Sequence, residues 1–238
     1  MIQQKWKVYG VSHVSPLPSP MTITIHLERR QVQFSSTEQA LAKAVASRQA
    51  MRFQLQAQLA KRHLSYSAIS PLHIQEDTLR RMVVKFSEQL VYSPLEEMHS
   101  WFAYSSGAFL QHGYPPLFYG KSETRSIVAN KSAVAGIGEA IAGFLAQRLY
   151  QARKLARPVH DYPDIVMTGQ GKTYLVEAKA STVSAPEIRQ VLDEELMRLA
   201  AYTSACAELD ARPVTGLLIG IAIESETHYH CCITEVMV

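Results

Sequence analysis

Two carboxylates and an ammonium fall close together between Tyr162 and Lys179: Asp164, then Glu177, Ala178 and Lys179. Apolar runs adjoin them, Ile165-Val166-Met167 on one side and Tyr174-Leu175-Val176 on the other, with Gly169-Gln170-Gly171-Lys172 between. This pattern predicts two antiparallel strands joined by a four-residue loop. With Thr168 and Thr173 flanking that loop, opposed residues carry numbers that add to 341, so Asp164 faces Glu177. Opposed side chains have Cβ atoms about 4.5 to 5.5 Å apart, and like charges there repel. A cation between them resolves the conflict. Lys179 lies two residues past Glu177 and joins the same row, because side chains alternate faces along a strand. Ala178 points its side chain away and offers its backbone carbonyl. Two carboxylates, a carbonyl and room for water form a hard oxygen site suited to Mg²⁺, which keeps several waters and takes substrate phosphate as a further ligand.

An ordinary solvated salt-bridge row would contain the same three charges. The surrounding composition favours function: near-continuous apolar strands are covered on both faces, and charges at their ends are costly unless paired.

Pro163-Asp164, twelve intervening residues and Glu177-Ala178-Lys179 resemble the signature of the PD-(D/E)XK nuclease superfamily, with the likeness extending over about residues 132–238. The resemblance implies an α/β restriction-endonuclease-like fold, a mixed central sheet flanked by helices, here with a helical and β-hairpin N-terminal extension. It implies a metal-dependent endodeoxyribonuclease of the type II restriction kind, with Asp164, Glu177 and the Ala178 carbonyl holding Mg²⁺, for which Mn²⁺ substitutes. Lys179 then orients water or stabilises developing charge. An acidic residue on the helix before the metal hairpin often points toward the site in this superfamily, and Glu139 resembles it; a carboxylate favouring the helix dipole is the other reading. The superfamily core has a further strand before the one bearing Asp164, and Arg157 to His160 is short for it. Either an N-terminal strand substitutes or that strand is abbreviated. Some exonuclease branches carry a Gln and a Tyr four residues apart on the following helix; here Gln190 is followed by Glu194, and Tyr202 stands too far on. Cutting both DNA strands takes two sites, which points to a homodimer. The rival reading is a non-catalytic nucleic-acid-binding or assembly protein that keeps the fold; a third is a nuclease subunit of a mobile-element or defence complex.

The elements that must position these residues are legible in part. Lys5–Val11, Met21–Leu27 and Gln31–Phe34 read as strands, the last two joined by a turn at Glu28-Arg29-Arg30. Ser35 with Glu38 forms a capping box for a helix to about Leu64. Further helices are predicted over Glu76–Tyr92, from Ser93-Pro94 to about Leu110, and over Ser132–Ala156 with Ile137, Ile141, Phe144, Leu145 and Leu149 inward. Ser184 with Glu187 caps another helix to about Leu209, and Thr215–Ile223 and His230–Val238 read as strands. The pattern lapses near residues 116–131, which divides the chain into an N-terminal region, 1–115, serving DNA binding or dimerisation, and a nuclease core, 132–238.

Charge supports the same division. Residues 1–134 hold fifteen Lys or Arg against eight Asp or Glu, a balance of +7, whereas residues 135–238 hold nine against thirteen, a balance of −4. A basic half suits a polyanion such as DNA beside an acidic, metal-ready half. Lys121, Arg125 and Lys131 lie among Tyr114, Phe118 and Tyr119, a mixture of cations and aromatic faces that suits phosphates and bases. Arg189, on the helix after the hairpin, is a further phosphate contact, with a solvated face as the other reading. No apolar run reaches the eighteen residues of a membrane span, and three cysteines fit a reducing cytoplasm. In His228-Tyr229-His230-Cys231-Cys232, alternate residues share a strand face, but His228 and Cys232 would stand about 13 Å apart, too far for one zinc ion.

Overall fold

The computed structural model describes residues 21–45, 49–60, 64–87, 93–105, 129–158 and 162–238. Among them, seven strands form one mixed sheet with helices on both faces, so the α/β class holds. In chain order the elements are β1 (Thr22–Gln33), α1 (Ser36–Val45), α2 (Gln49–Ala60), β2 (Ser67–Gln75), α3 (Glu76–Phe86), α4 (Pro94–Ser105), α5 (Lys131–Tyr150), β3 (Arg153–Ala156), β4 (Ile165–Gly169), β5 (Lys172–Ser181), α6 (Ala185–Leu209), β6 (Val214–Ile223) and β7 (His228–Met237). The order across the sheet is β2-β1-β7-β6-β5-β4-β3. β1 runs parallel to β7 and β5 to β6, while the other neighbours are antiparallel.

Alternation along the strands sorts the side chains into two cores. Ile165, Met167, Val176, Leu217 and Ile219 face α5, packing with Ile137, Ile141 and Leu145 and, through them, with Phe86 of α3 and Met98 of α4. Leu175, Leu218, Cys232 and Val236 face α6, packing with Ile188, Leu192 and Leu199 and with Leu55 and Leu59 of α2. All ten residues of β6 are buried, as a central strand covered on both sides requires. The first core joins Ile23 and Ile25 of β1 to α5, so one sheet and one core cross the boundary expected near residues 116–131. No helix among the described residues is long and apolar enough to cross a membrane.

Several elements differ from the sequence reading. Met21–Leu27 and Gln31–Phe34 are not two strands with a turn at Glu28-Arg29-Arg30; they are one strand, β1. Glu28 and Arg30 point to the α6 side, where Arg189 and Asp193 pair with them, so charges that suggested a turn are buried in the sheet. β2 is a strand additional to those expected; it contains Pro71, which a strand tolerates at a sheet edge, where β2 lies. Within the span of the helix expected to end near Leu64, the described residues form α1 and α2. α5 stops at Tyr150 rather than Ala156: Gln151 takes a left-handed φ of 51°, and the next residues become edge strand β3. A four-residue strand thus precedes Asp164, at Arg153–Ala156 rather than from Arg157 to His160. Both capping boxes form, with Ser35 bonded to Glu38 and Ser184 to Glu187. The strand expected at Lys5–Val11 lies outside the described residues.

Candidate active site

The hairpin of β4 and β5 keeps the expected register, with Ile165 opposite Val176 and Gly169 opposite Lys172. Continued by one residue, it sets Asp164 beside Glu177. The turn is tighter than expected, two residues instead of four: Gln170 and Gly171 have φ of 51° and 72°, the two positive values that a type I′ hairpin turn demands. Val176 faces α5 and Leu175 faces α6, so alternation brings Glu177 and Lys179 out on the α6 side.

Three hydrogen bonds hold the trio together. The Ala178 amide donates to Asp164 Oδ2 at 2.7 Å, the Asp164 amide donates to Glu177 Oε2 at 3.2 Å, and Lys179 Nζ donates to Glu177 Oε1 at 2.8 Å. Each acid is therefore fastened by the strand that carries the other. Glu177 is only 2% exposed. Burial pushes its carboxyl up and the Asp164 charge adds to this, reaching about 7 despite the bond from Lys179. Asp164 is raised as well; burial leads, the Ala178 amide opposes it, and the Glu139 charge reinforces it. Burial works against the Lys179 ammonium, but its bond to Glu177 and the charges of Glu177, Glu195 and Asp164 hold it above the ordinary lysine value. Two raised acids and one ammonium leave an excess of negative potential on hard oxygen donors, which a divalent ion of the Mg²⁺ class relieves.

Glu139 lies close enough to raise Asp164, but both of its oxygens accept from Arg157, at 2.9 Å each. Arg157 also donates to the Phe86 carbonyl at 2.5 Å. The sequence reading missed three neighbours of the acids: Arg157, Tyr162 and Glu195. The Tyr162 ring lies 4.7 Å from Tyr202 and 4.3 Å beneath Arg198, while its hydroxyl, sealed from solvent, has no hydrogen-bond partner among the described residues. Glu195 Oε2 is sealed and unpartnered in the same way. No signal marked Glu195, because Leu196 beside it continues the α6 stripe of Ile188, Leu192 and Leu199 without a gap.

Comparison of the chain with family models, with curated proteins and with solved structures found no match.

Of the expected nucleic-acid contacts, Lys131 is exposed at the first residue of α5, and Lys121 and Arg125 lie outside the described residues. Arg189 is committed elsewhere: it donates to both oxygens of Glu28, at 2.5 and 2.6 Å. That contact belongs to a second cluster, where β1 and β7 pair with Glu28 opposite Cys232 and His26 opposite His230. The Cys232 thiol donates to Glu28 Oε1 at 2.8 Å, and His230 Nε2 lies 3.6 Å from Glu28 Oε2. The cluster draws on His230 and Cys232 with Glu28, from a strand about two hundred residues earlier in the chain, and His228 is not part of it.

Proposed function

We propose that this chain is a metal-dependent endodeoxyribonuclease, restriction-endonuclease-like in fold, that hydrolyses DNA phosphodiester bonds. One observation carries the reading: Asp164 and Glu177 are adjoining, sheltered acids, both raised, and the ammonium of Lys179 is bonded to one of them. Such an arrangement costs stability, which supports reading it as a functional site. Asp164, Glu177 and the Ala178 carbonyl would hold Mg²⁺ or Mn²⁺, whose chemistry is to polarise a phosphoryl oxygen and acidify water. Lys179, oriented and kept charged by Glu177 with support from Glu195, would donate to oxygen as negative charge builds in the transition state. Glu139, both of whose oxygens are held by Arg157, stands beside these acids and adds to the negative field at Asp164. Lys131 contacts the DNA backbone beyond the start of α5. Two copies of the chain serve the two strands.

Incubation of supercoiled plasmid with purified protein tests this. Nicking or linearisation is expected with Mg²⁺ or Mn²⁺ and none with chelator. Asp164→Asn and Lys179→Met should each slow cleavage at least about a hundredfold, the scale of losing one transition-state donor, with unchanged circular dichroism. Full activity in either variant overturns the assignment. An inactive wild type that binds one divalent ion, lost in Asp164→Asn, identifies a nuclease needing a larger complex; a wild type that binds none ends the reading.

A further inference from the structure

We propose that Glu28, His230 and Cys232 form a zinc-class metal site, separate from the acidic site, that ties β1 to β7. The inference is independent of the nuclease reading. The carboxylate, imidazole and thiol come to one side of the sheet because β1 and β7 are in register there, and the three ligand atoms lie within 4.8 Å of one another. Tetrahedral bonds of about 2.0 to 2.3 Å set ligand atoms roughly 3.3 to 3.8 Å apart. The observed 2.8 Å from Sγ to Oε1 and 3.6 Å from Nε2 to Oε2 straddle that separation, so small side-chain shifts suffice.

The surroundings suit an ion. His230 Nε2 is sealed from solvent without a hydrogen-bond partner among the described residues, and Cys232 is fully buried. Arg189 fastens the carboxylate from outside, the supporting role that outer partners play around ligating carboxylates. The His26 ring stacks on that of His230 at 6.3 Å, which fixes the plane of the imidazole. A set of nitrogen, sulfur and one oxygen selects Zn²⁺ or Co²⁺ over Mg²⁺. On binding, the metal–sulfur bond replaces the S–H bond, and the thiol proton leaves to solvent.

Co²⁺ titration of the full chain tests the site, because only a thiolate ligand gives sulfur-to-cobalt charge-transfer absorption in the near ultraviolet. One equivalent should produce that band with tetrahedral visible bands, and Zn²⁺ should bleach both. The band should persist in Cys231→Ser and in the Asp164→Asn, Glu177→Gln double variant, and vanish in Cys232→Ser. Absence of the band in the folded wild type, or its survival in Cys232→Ser, overturns the proposal. Should Cys232→Ser fail to fold, His230→Ala at the partly exposed rim decides. Zn²⁺ affinity should then fall more than about a hundredfold, beyond the ten- to hundredfold effect of losing an outer partner, and a smaller loss rejects His230 as a ligand.

Discussion

At Glu177, burial and the Asp164 charge act in the same direction, so the folded chain keeps a proton that the unfolded chain releases at lower pH. Between the ordinary carboxyl value of 4.5 and the folded value of about 7, the native state binds more protons, and stability falls as pH rises. The contribution is complete below pH 4.5 and lost on passing through about pH 7. Urea unfolding of metal-free protein should therefore show a decline on the order of 1 to 3 kcal/mol from this pair between pH 5 and pH 8. Asp164→Asn should flatten that decline, and Mg²⁺ at pH 8 should reverse it in the wild type alone; parallel curves for the two proteins would disprove the coupling. Glu195 makes a second case at this scale. Glu195→Gln removes a charge that supports the Lys179 ammonium. The basic limb of the pH–rate profile should move to lower pH while DNA affinity stays constant, and an unmoved limb would detach Glu195 from the chemistry.

At the level of elements, the closeness of α5 to β5 decides where Glu139 and Arg157 stand. Gly138 makes the approach possible: a Cβ there would lie 2.4 Å from the Ala180 Cβ, on the strand that carries Glu177. Alanine favours a helix over glycine by about 1 kcal/mol, yet Gly138→Ala should destabilise the protein by about 1 to 3 kcal/mol through overpacking. It should also weaken Mg²⁺ binding, since α5 must shift away from the hairpin; calorimetry and urea midpoints check both. Elements specified locally were legible in the sequence. The register of β4 with β5 follows from the residues themselves, and the Ser35–Glu38 and Ser184–Glu187 boxes close within four residues. Elements specified by distant partners were not. Glu28-Arg29-Arg30 reads as a turn until Arg189, Asp193 and Thr234 are known to wait for those side chains. Arg153–Ala156 continues a helical pattern until Gln151 turns left-handed and β4 recruits the segment as an edge.

Across the whole molecule, strands from both ends of the sequence interleave. β7 lies between β1 and β6, so the basic N-terminal portion and the acid-bearing hairpin share a single sheet. This could not be read from the sequence, because neither β1 nor β7 carries a mark of its partner. DNA binding by the charge-divided chain should weaken steeply with salt, log K falling by about 0.9 per phosphate neutralised for each unit of log[salt]. Lys131→Ala should lower that slope by about one contact, while a flat salt response would remove DNA as the polyanion. Amide exchange should be slowest in buried β6 and in its neighbours β5 and β7, and faster in exposed edge strand β3; protection of β3 equal to that of β6 would contradict this ranking.

The pairing of Glu28 with Cys232 spans 204 positions of sequence. Ribosomes add about 5 to 20 residues each second, so β1 emerges on the order of ten to forty seconds before the strand that will shield its inner edge. For that interval the nascent chain has β2 to occupy one side of β1 and bare amides and carbonyls on the other. Chaperone capture during synthesis is the expected outcome: arrested nascent chains ending before His228 should be retained by such factors while those extending past Met237 are released.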